Sequence, residues 1–239
     1  AAEDPITVST ERLLQVELAD QYGNLLSDST VTFTRISNGN GIFVTSGTAT
    51  LNDVTNATGI AEGLYRASSS TSFVSDSIEV SFSGVLDTLV LPLTSGGVSY
   101  YTLFPSSDTT ITAGGSRAYF VRARDQYGNL VSNSDSIDVA AVGSASAEFD
   151  STRLHFNGFA EVSFTVSDTV TGGFTVRAVN VDNSDIVGQS GVITVESDTL
   201  DYLIVRTEAN NGGTPFGDLG FTTDDLVNFY AAGYDQFGN

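Results

Sequence analysis

One phrase occurs three times in this chain, and it constrains the fold more than any other feature. Asp20-Gln21-Tyr22-Gly23-Asn24-Leu25 returns unchanged at Asp125 to Leu130, and again as Asp235-Gln236-Phe237-Gly238-Asn239. Repetition at domain-sized spacing means a tandem array of one small fold. The match extends well beyond the phrase. Ile6 falls on Ile111 and Val16 on Val121, Gly59-Ile60-Ala61-Glu62 answers Gly158-Phe159-Ala160-Glu161, and Tyr101-Thr102-Leu103-Phe104 answers Tyr202-Leu203-Ile204-Val205. The distance from the phrase to the Gly-x-Ala-Glu step differs by six residues between copies, as expected of a common core with variable loops.

Between these anchors the chain alternates. Ile78, Val80 and Phe82 are separated by small or polar residues, as are Val162, Phe164 and Val166, and Phe174, Val176 and Ala178. A period of two with β-branched and aromatic residues predicts strands with one buried and one wet face. No stretch holds apolar residues at helical spacing over three turns, so helices should be few. Polar and Gly-rich punctuation such as Ser37 to Gly41, Ser68 to Ser72 and Val181 to Asp185 separates many short strands. In about 100 residues that pattern predicts an all-β, antiparallel β-sandwich.

The phrase itself reads as turn chemistry. It follows a strand (Val16, Leu18; Phe120 to Ala123) and precedes another (Val31, Phe33; Ile137, Val139). Gly23 and Asn24 tolerate positive φ and let the chain reverse sharply, as do Gly128 with Asn129 and Gly238 with Asn239. Asp20, Asp125 and Asp235 can accept hydrogen bonds from the turn amides. Tyr22, Tyr127 and Phe237 offer a ring to cover the end of the sandwich, with a hydroxyl in the two tyrosines. The alternative is that the aspartates contact a metal or ligand.

The Asp-Gln-Tyr-Gly-Asn-Leu phrase, the alternating strand after it, the Gly-[Ile/Phe]-Ala-Glu step and the closing strand pair resemble the bacterial immunoglobulin-like repeats of invasins and intimins. The resemblance covers most of residues 1–199 and the start of a third copy. It departs from the family's pattern where a proline often follows Gly-Asn: Leu25 and Leu130 stand there. It implies tandem Ig-like sandwiches on a surface-exposed stalk or adhesin, with no catalytic residues to carry over.

On these anchors residues 1–99 form an Ig-like domain lacking its first strand, and 100–199 form a complete one. Residues 200–239 begin a third, truncated one, with a Gly- and Asn-rich loop at Asn210 to Gly220. Two strands do not make an independent core, so the sequence predicts further chain or another molecule to complete it. The junctions Thr94 to Ser99 and Ser197 to Asp201 are short, which predicts a semi-rigid array.

Composition narrows the function. No cysteine is present, which removes disulfides, thiolate metal sites and Cys nucleophiles; sandwiches of this size can bury a core without them. No segment approaches the roughly 18 apolar residues of a membrane helix, and the N-terminal Ala1-Ala2-Glu3-Asp4 does not read as a signal peptide. The net charge is −20, and all nine basic residues are Arg. The charge is spread at about −8, −7 and −5 over residues 1–99, 100–199 and 200–239. Nucleic acid and anionic membranes need Lys/Arg clusters and are therefore not expected partners. Hydrated carboxylates without long Lys stems suit concentrated salt, where the Debye length falls to about 3 Å at 1 M. The chain thus reads as the product of a high-salt organism, the alternative being an ordinary acidic surface protein that avoids Lys.

Individual sites add little chemistry. His155, the single histidine, lies in the strand-like run Leu154-His155-Phe156 with no nucleophile elbow in the chain, and one His makes no zinc site. Calcium needs only oxygen ligands, and its candidates are Asp182 with Asp185, Asp224 with Asp225, and the motif aspartates. Paired carboxylates could serve a glycosidase, but the chain has no Trp and its Tyr and Phe residues are expected mostly in alternating core positions. Asn56-Ala57-Thr58 is the single glycosylation sequon, in a polar turn. No cofactor is expected.

The expected function is therefore a non-enzymatic, extracellular structural or adhesive stalk. Its partners would be neighbouring repeats or other copies of itself, with an unspecified surface ligand or glycan. Two alternatives stand beside it: a filament, surface-layer or virion subunit assembled by strand exchange, and accessory modules of a secreted hydrolase.

Overall fold

Strands make up almost all the regular structure of the computed structural model, which describes residues 3–210, 212–217, 220 and 222–239. Asn211, Asp218, Leu219 and Phe221, in and beside the Gly/Asn-rich loop, lie outside the described residues, as do Ala1 and Ala2. The one helical element among the described residues is a single 3-10 turn, Thr71–Phe73. No helix among them is long and apolar enough to cross a membrane. Two compact units emerge. One gathers the chain up to Tyr100 with Ala123–Val131, and the other Tyr101–Arg122 with Ser132–Asn239.

In the first unit one sheet runs, in spatial order, Ile6–Thr7, Val85–Thr94, Ser75–Phe82, Thr30–Arg35 and Thr50–Val54. The second runs Glu11–Glu17, Ile60–Arg66 and Ile42–Phe43. The predicted alternation aims Val31, Phe33 and Ile78 from one sheet, and Leu14, Ala61 and Tyr65 from the other, into one core. Phe43 sits between Phe33 and Tyr65, with ring centroids 5.8 and 5.1 Å away. Each such side chain contributes about 1.5–3 kcal/mol by leaving water, which is how a sandwich closes without disulfides.

The second unit repeats the plan. Thr109–Thr112, Ile193–Glu196, Gly172–Asn180, Ser136–Val142 and Arg153–His155 form one sheet, with Val187–Gln189 also on Gly172–Asn180. Glu148–Phe149, Glu161–Ser167, Ser116–Arg124 and Tyr100–Phe104 form another. Both sandwiches enter through a short parallel strand: Ile6 lies opposite Leu93, and Ile111 opposite Val195. The alignment of Ile6 on Ile111 is therefore structural. Tyr202–Arg206 and Tyr230–Tyr234 form a separate antiparallel pair, with Tyr202 stacked on Tyr234 at 5.3 Å.

The sandwiches differ at one edge. In the second, the inward Tyr101 and Leu103 of the opening strand are 3% and 2% exposed. In the first, no strand among the described residues borders the outer edge of Glu11–Glu17. A groove of about 270 Å³ opens there between Leu14, Val16, Phe33, Val80 and Leu89.

The expectation that the Tyr and Phe rings sit mostly in core positions is only half right. Tyr65, Tyr101, Tyr119, Phe33, Phe43 and Phe164 are buried, whereas Tyr100, Phe104, Phe120, Phe159, Phe229 and Tyr230 are exposed. The reason is the pleat. In Tyr100-Tyr101 and Tyr119-Phe120 adjacent rings point to opposite faces, so one of each pair must face outward. Phe104 is covered instead by the Arg122 guanidinium, 5.6 Å from the ring centre. Ion pairs pin the register from outside: Glu11 with Arg66, Asp138 with Arg153, and Arg122 with Glu161 are each directly opposed across two strands.

Candidate functional site

Each copy of the repeated phrase folds into the same knot of hydrogen bonds. Asp20 Oδ1 accepts from the backbone N–H of Tyr22 (2.8 Å) and Asn24 (2.9 Å), and Oδ2 accepts from Asn24 Nδ2 (2.8 Å). Gly23 supplies the positive φ, +82°, that lets the chain turn back so tightly. Asp125 repeats this with Tyr127, Asn129 and Asn129 Nδ2 at 2.9 Å each, and Asp235 with Phe237, Asn239 and Asn239 Nδ2, also at 2.9 Å. Here the aspartates serve as the acceptors expected of them.

In two copies the knot also reaches outward. Asp125 Oδ2 takes a further N–H from Gly96 (3.0 Å), and Asp235 Oδ2 one from Asp198 (2.9 Å). Within the first unit Asn129 Nδ2 donates to Ser69 O (2.9 Å), while its Oδ1 accepts from Thr71 N (3.0 Å). Within the second unit Asn239 Nδ2 donates to Thr169 O (2.8 Å), and its Oδ1 accepts from Thr171 N (3.0 Å). The carboxamide is thus a two-pronged clip on a loop backbone, made twice with the same atoms.

The clipped loops are themselves braced by buried carboxylates. Asp76 accepts from Ser68 N (2.8 Å) and Ser68 Oγ (2.7 Å), and Asp168 accepts from Ser144 Oγ (2.5 Å), Ser146 Oγ (2.6 Å) and Val170 N (3.1 Å). Asp76 and Asp168 are 0% and 2% exposed. The electrostatics follow the donors. Burial pushes Asp235 up, but the Asn239 carboxamide and the amides of Asp198, Asn239 and Phe237 win and hold it down to about 2. Asp125 and Asp168 are likewise depressed although burial opposes it, the first by Asn129 and Gly96, the second by Ser144 and Ser146. The Asn24 carboxamide lowers the more open Asp20.

The ring of the phrase does less than expected. Tyr22 is 81% exposed and covers no sandwich end, whereas Phe237 packs on Gly114 so closely that a Cβ there would lie 2.5 Å from the ring. Gly114 also has φ +77°, so Gly114→Ala should cost roughly 1–2 kcal/mol from backbone alone. Urea unfolding should show this loss shrinking in the Phe237→Ala background, where the steric part is gone. An equal loss in both backgrounds would refute the packing.

The remaining candidates stay apart. Among the described residues no three His, Cys, Asp or Glu side chains converge as a metal site. Asp182 and Asp185 donate backbone N–H groups to Asn180 and Asn183, Asp225 accepts from Thr222 N, and Asp224 is exposed. Asn56 is exposed, with its Oδ1 accepting from Thr58 and Ile60 N–H groups. His155 lies on a strand face with Nδ1 2.7 Å from Ser136 Oγ. Sequence reading missed Asp76, Asp168 and the loop atoms they position. The visible signal was the hydroxyl-rich run after each Gly-x-Ala-Glu strand, Ser68 to Ser72 and Ser167 to Thr171.

No family model matches the sequence, and no curated relative does. Solved structures of bacterial surface proteins are similar in structure. FdeC, an Escherichia coli adhesin, is 14% identical over 99% of this chain and 72% of its own, with a TM-score of 0.51. The D00–D0 domain of intimin is 12% identical over 80% of this chain and 96% of its own, with a TM-score of 0.47. Invasin, described as a bacterial integrin-binding protein, is 16% identical over 86% of this chain, with a TM-score of 0.40. This chain spans 41% of that invasin chain. At such identity the likeness to FdeC shows the fold alone: Ig-like antiparallel β-sandwiches.

Proposed function

We propose that the chain is a stretch of tandem Ig-like modules, with boundaries near residues 99 and 199, in a non-enzymatic surface stalk that spaces and presents an adhesive tip. The observation that carries this is the clip made twice: one Asn, at the same place in the repeated phrase, holds the same two backbone atoms of a braced loop. A catalytic centre has no use for such repetition, whereas an array has. The adhesive role of FdeC supports the surface assignment. Single-molecule pulling tests the reading: a stalk module should resist force and release on the order of 30 nm of chain per event, about 100 residues at 3.3–3.6 Å each. Smooth extension without discrete events would sink it.

A second reading, a subunit completed by strand exchange, is favoured by the groove beside Glu11–Glu17. An extended segment with inward residues like Tyr101 and Leu103 would fill it. Concentration-dependent sedimentation of the polypeptide separates the two, since only the subunit grows with concentration.

The acidic, Lys-free surface belongs to the same proposal as an adaptation to high salt. Of the nine arginines, Arg66, Arg122 and Arg153 are already paired across strands with carboxylates, so the remaining acids far outnumber the remaining basic groups. Thermal midpoints should rise steadily from low salt to about 1 M NaCl as screening takes hold. A flat profile removes the halophilic part and leaves the stalk reading intact.

A further inference from the structure

The first copy of the phrase is built like the other two and lacks only their outer partners. Its inner hydrogen bonds are all present. Among the described residues, however, no backbone amide outside the turn reaches Asp20 Oδ2, and nothing donates to Asn24 Oδ1. Tyr22 is 81% exposed, against 47% for Tyr127 and 42% for Phe237; Asn24 is exposed, while Asn129 is 8% exposed. The turn itself needs only the Asn24 Nδ2 hydrogen that meets Asp20. Among the described residues the second Nδ2 hydrogen and Oδ1 meet no partner, yet in both other copies those same atoms make the clip.

We propose that Asp20-Gln21-Tyr22-Gly23-Asn24 is a docking site for the braced loop of a further Ig-like module. The two occupied copies define what it recognises: a backbone carbonyl followed, two residues on, by a backbone N–H, as in Ser69 with Thr71 and Thr169 with Thr171. Asp20 Oδ2 then takes one more amide, as Asp125 takes that of Gly96 and Asp235 that of Asp198. An intact second copy of this chain does not fit, because its own loops are already held by Asn129 and Asn239. Neutral amide contacts also suit a chain of net charge −20, since salt screens separated charges far more than directional hydrogen bonds. The inference rests on the tandem-array reading and names the atoms that join one module to the next.

A lengthened polypeptide tests it: residues 1–110 followed directly by residues 6–239, joined at the Ile111–Ile6 equivalence. The inserted Asn24 then follows a complete braced loop. Asn24→Ala in that inserted copy should lower the urea midpoint as much as Asn129→Ala, and several-fold more than Asn24→Ala in the 239-residue chain. If inserted Asn24→Ala stays as mild as in the 239-residue chain while Asn129→Ala is costly, docking is wrong and the array reading survives. If Asn129→Ala costs nothing either, the clip carries no energy and the proposal also falls. A second measurement does not need the lengthened chain to fold. The Asn239→Ala chain, whose Thr169–Thr171 loop is released, is titrated into ¹⁵N-labelled wild-type protein. The Asn24 side-chain amide should shift with the variant and not with unlabelled wild type; no shift at millimolar concentration overturns the proposal.

Discussion

Asp125→Ala is expected to destabilise the first unit by about 3 kcal/mol, whereas Asp20→Ala, at the same place in the same phrase, should cost far less. The asymmetry comes from burial and partners. Asp125 is 1% exposed and accepts from Tyr127 N, Asn129 N, Asn129 Nδ2 and Gly96 N. Removing a buried acceptor strands its donors, at about 1–3 kcal/mol for an unsatisfied group and more where charge is involved. At Asp20 water can replace the carboxylate, because the whole turn is open. The Asp125 change also loosens Asn129 and with it the hold on Ser69 and Thr71, so the Thr71–Phe73 turn should lose hydrogen-exchange protection. Paired urea melts of the two variants are the check. Equal losses would mean that the phrase is only a turn and that its outward bonds contribute nothing.

How much of this was legible in the sequence depends on which atoms do the work. The sandwich was legible because alternation at Phe174, Val176 and Ala178 or at Val31 and Phe33 is a side-chain signal, and the recurrence of the phrase at 20, 125 and 235 pointed to a repeated unit. The turn was legible too, since Asp, Gly and Asn each have one well-defined backbone use. The clip was not. Its acceptor and donor are Ser69 O and Thr71 N, backbone atoms that any sequence carries, and their placement depends on a carboxylate distant in sequence or on the opposite side of the loop. Asp76 follows Ser68 by eight residues, while Asp168 reaches back to Ser144 and Ser146. The two loops are thus braced by the same carboxylate-to-hydroxyl bond with the acid in a different place: Asp76 lies on the strand after the clipped loop, and Asp168 lies directly beside the clipped residues. A residue-by-residue alignment cannot reveal that, because the chemistry is shared and the positions are not. The rings misled for a related reason: Tyr119 and Phe120 look alike in sequence, and only the register with Phe164 and Ser163 decides which one enters the core.

Stability should fall steeply as pH drops from about 4 toward 2, and several turns should fail together. Asp235 is held down to about 2, and Asp20, Asp125 and Asp168 lie below their ordinary value. The unfolded chain has its Asp groups near 3.9, so between that value and the folded one the unfolded state binds more protons. The stability these groups contribute is therefore complete above about pH 4 and is lost as pH falls through the folded values. Repulsion among the other carboxylates of a −20 chain acts in the opposite direction, because protonating exposed acids relieves it. Salt separates the two effects. In about 1 M NaCl the repulsion is screened while buried hydrogen bonds to Asp125 and Asp168 are not, so only the acid-induced fall should remain. Thermal midpoints measured across pH 7 to 2 at low and molar salt would show it, with Asp168→Asn flattening the molar-salt curve. A midpoint that holds steady down to pH 2 in molar salt would mean these carboxylates are no better placed in the folded chain than in water, and the clip would lose its electrostatic basis.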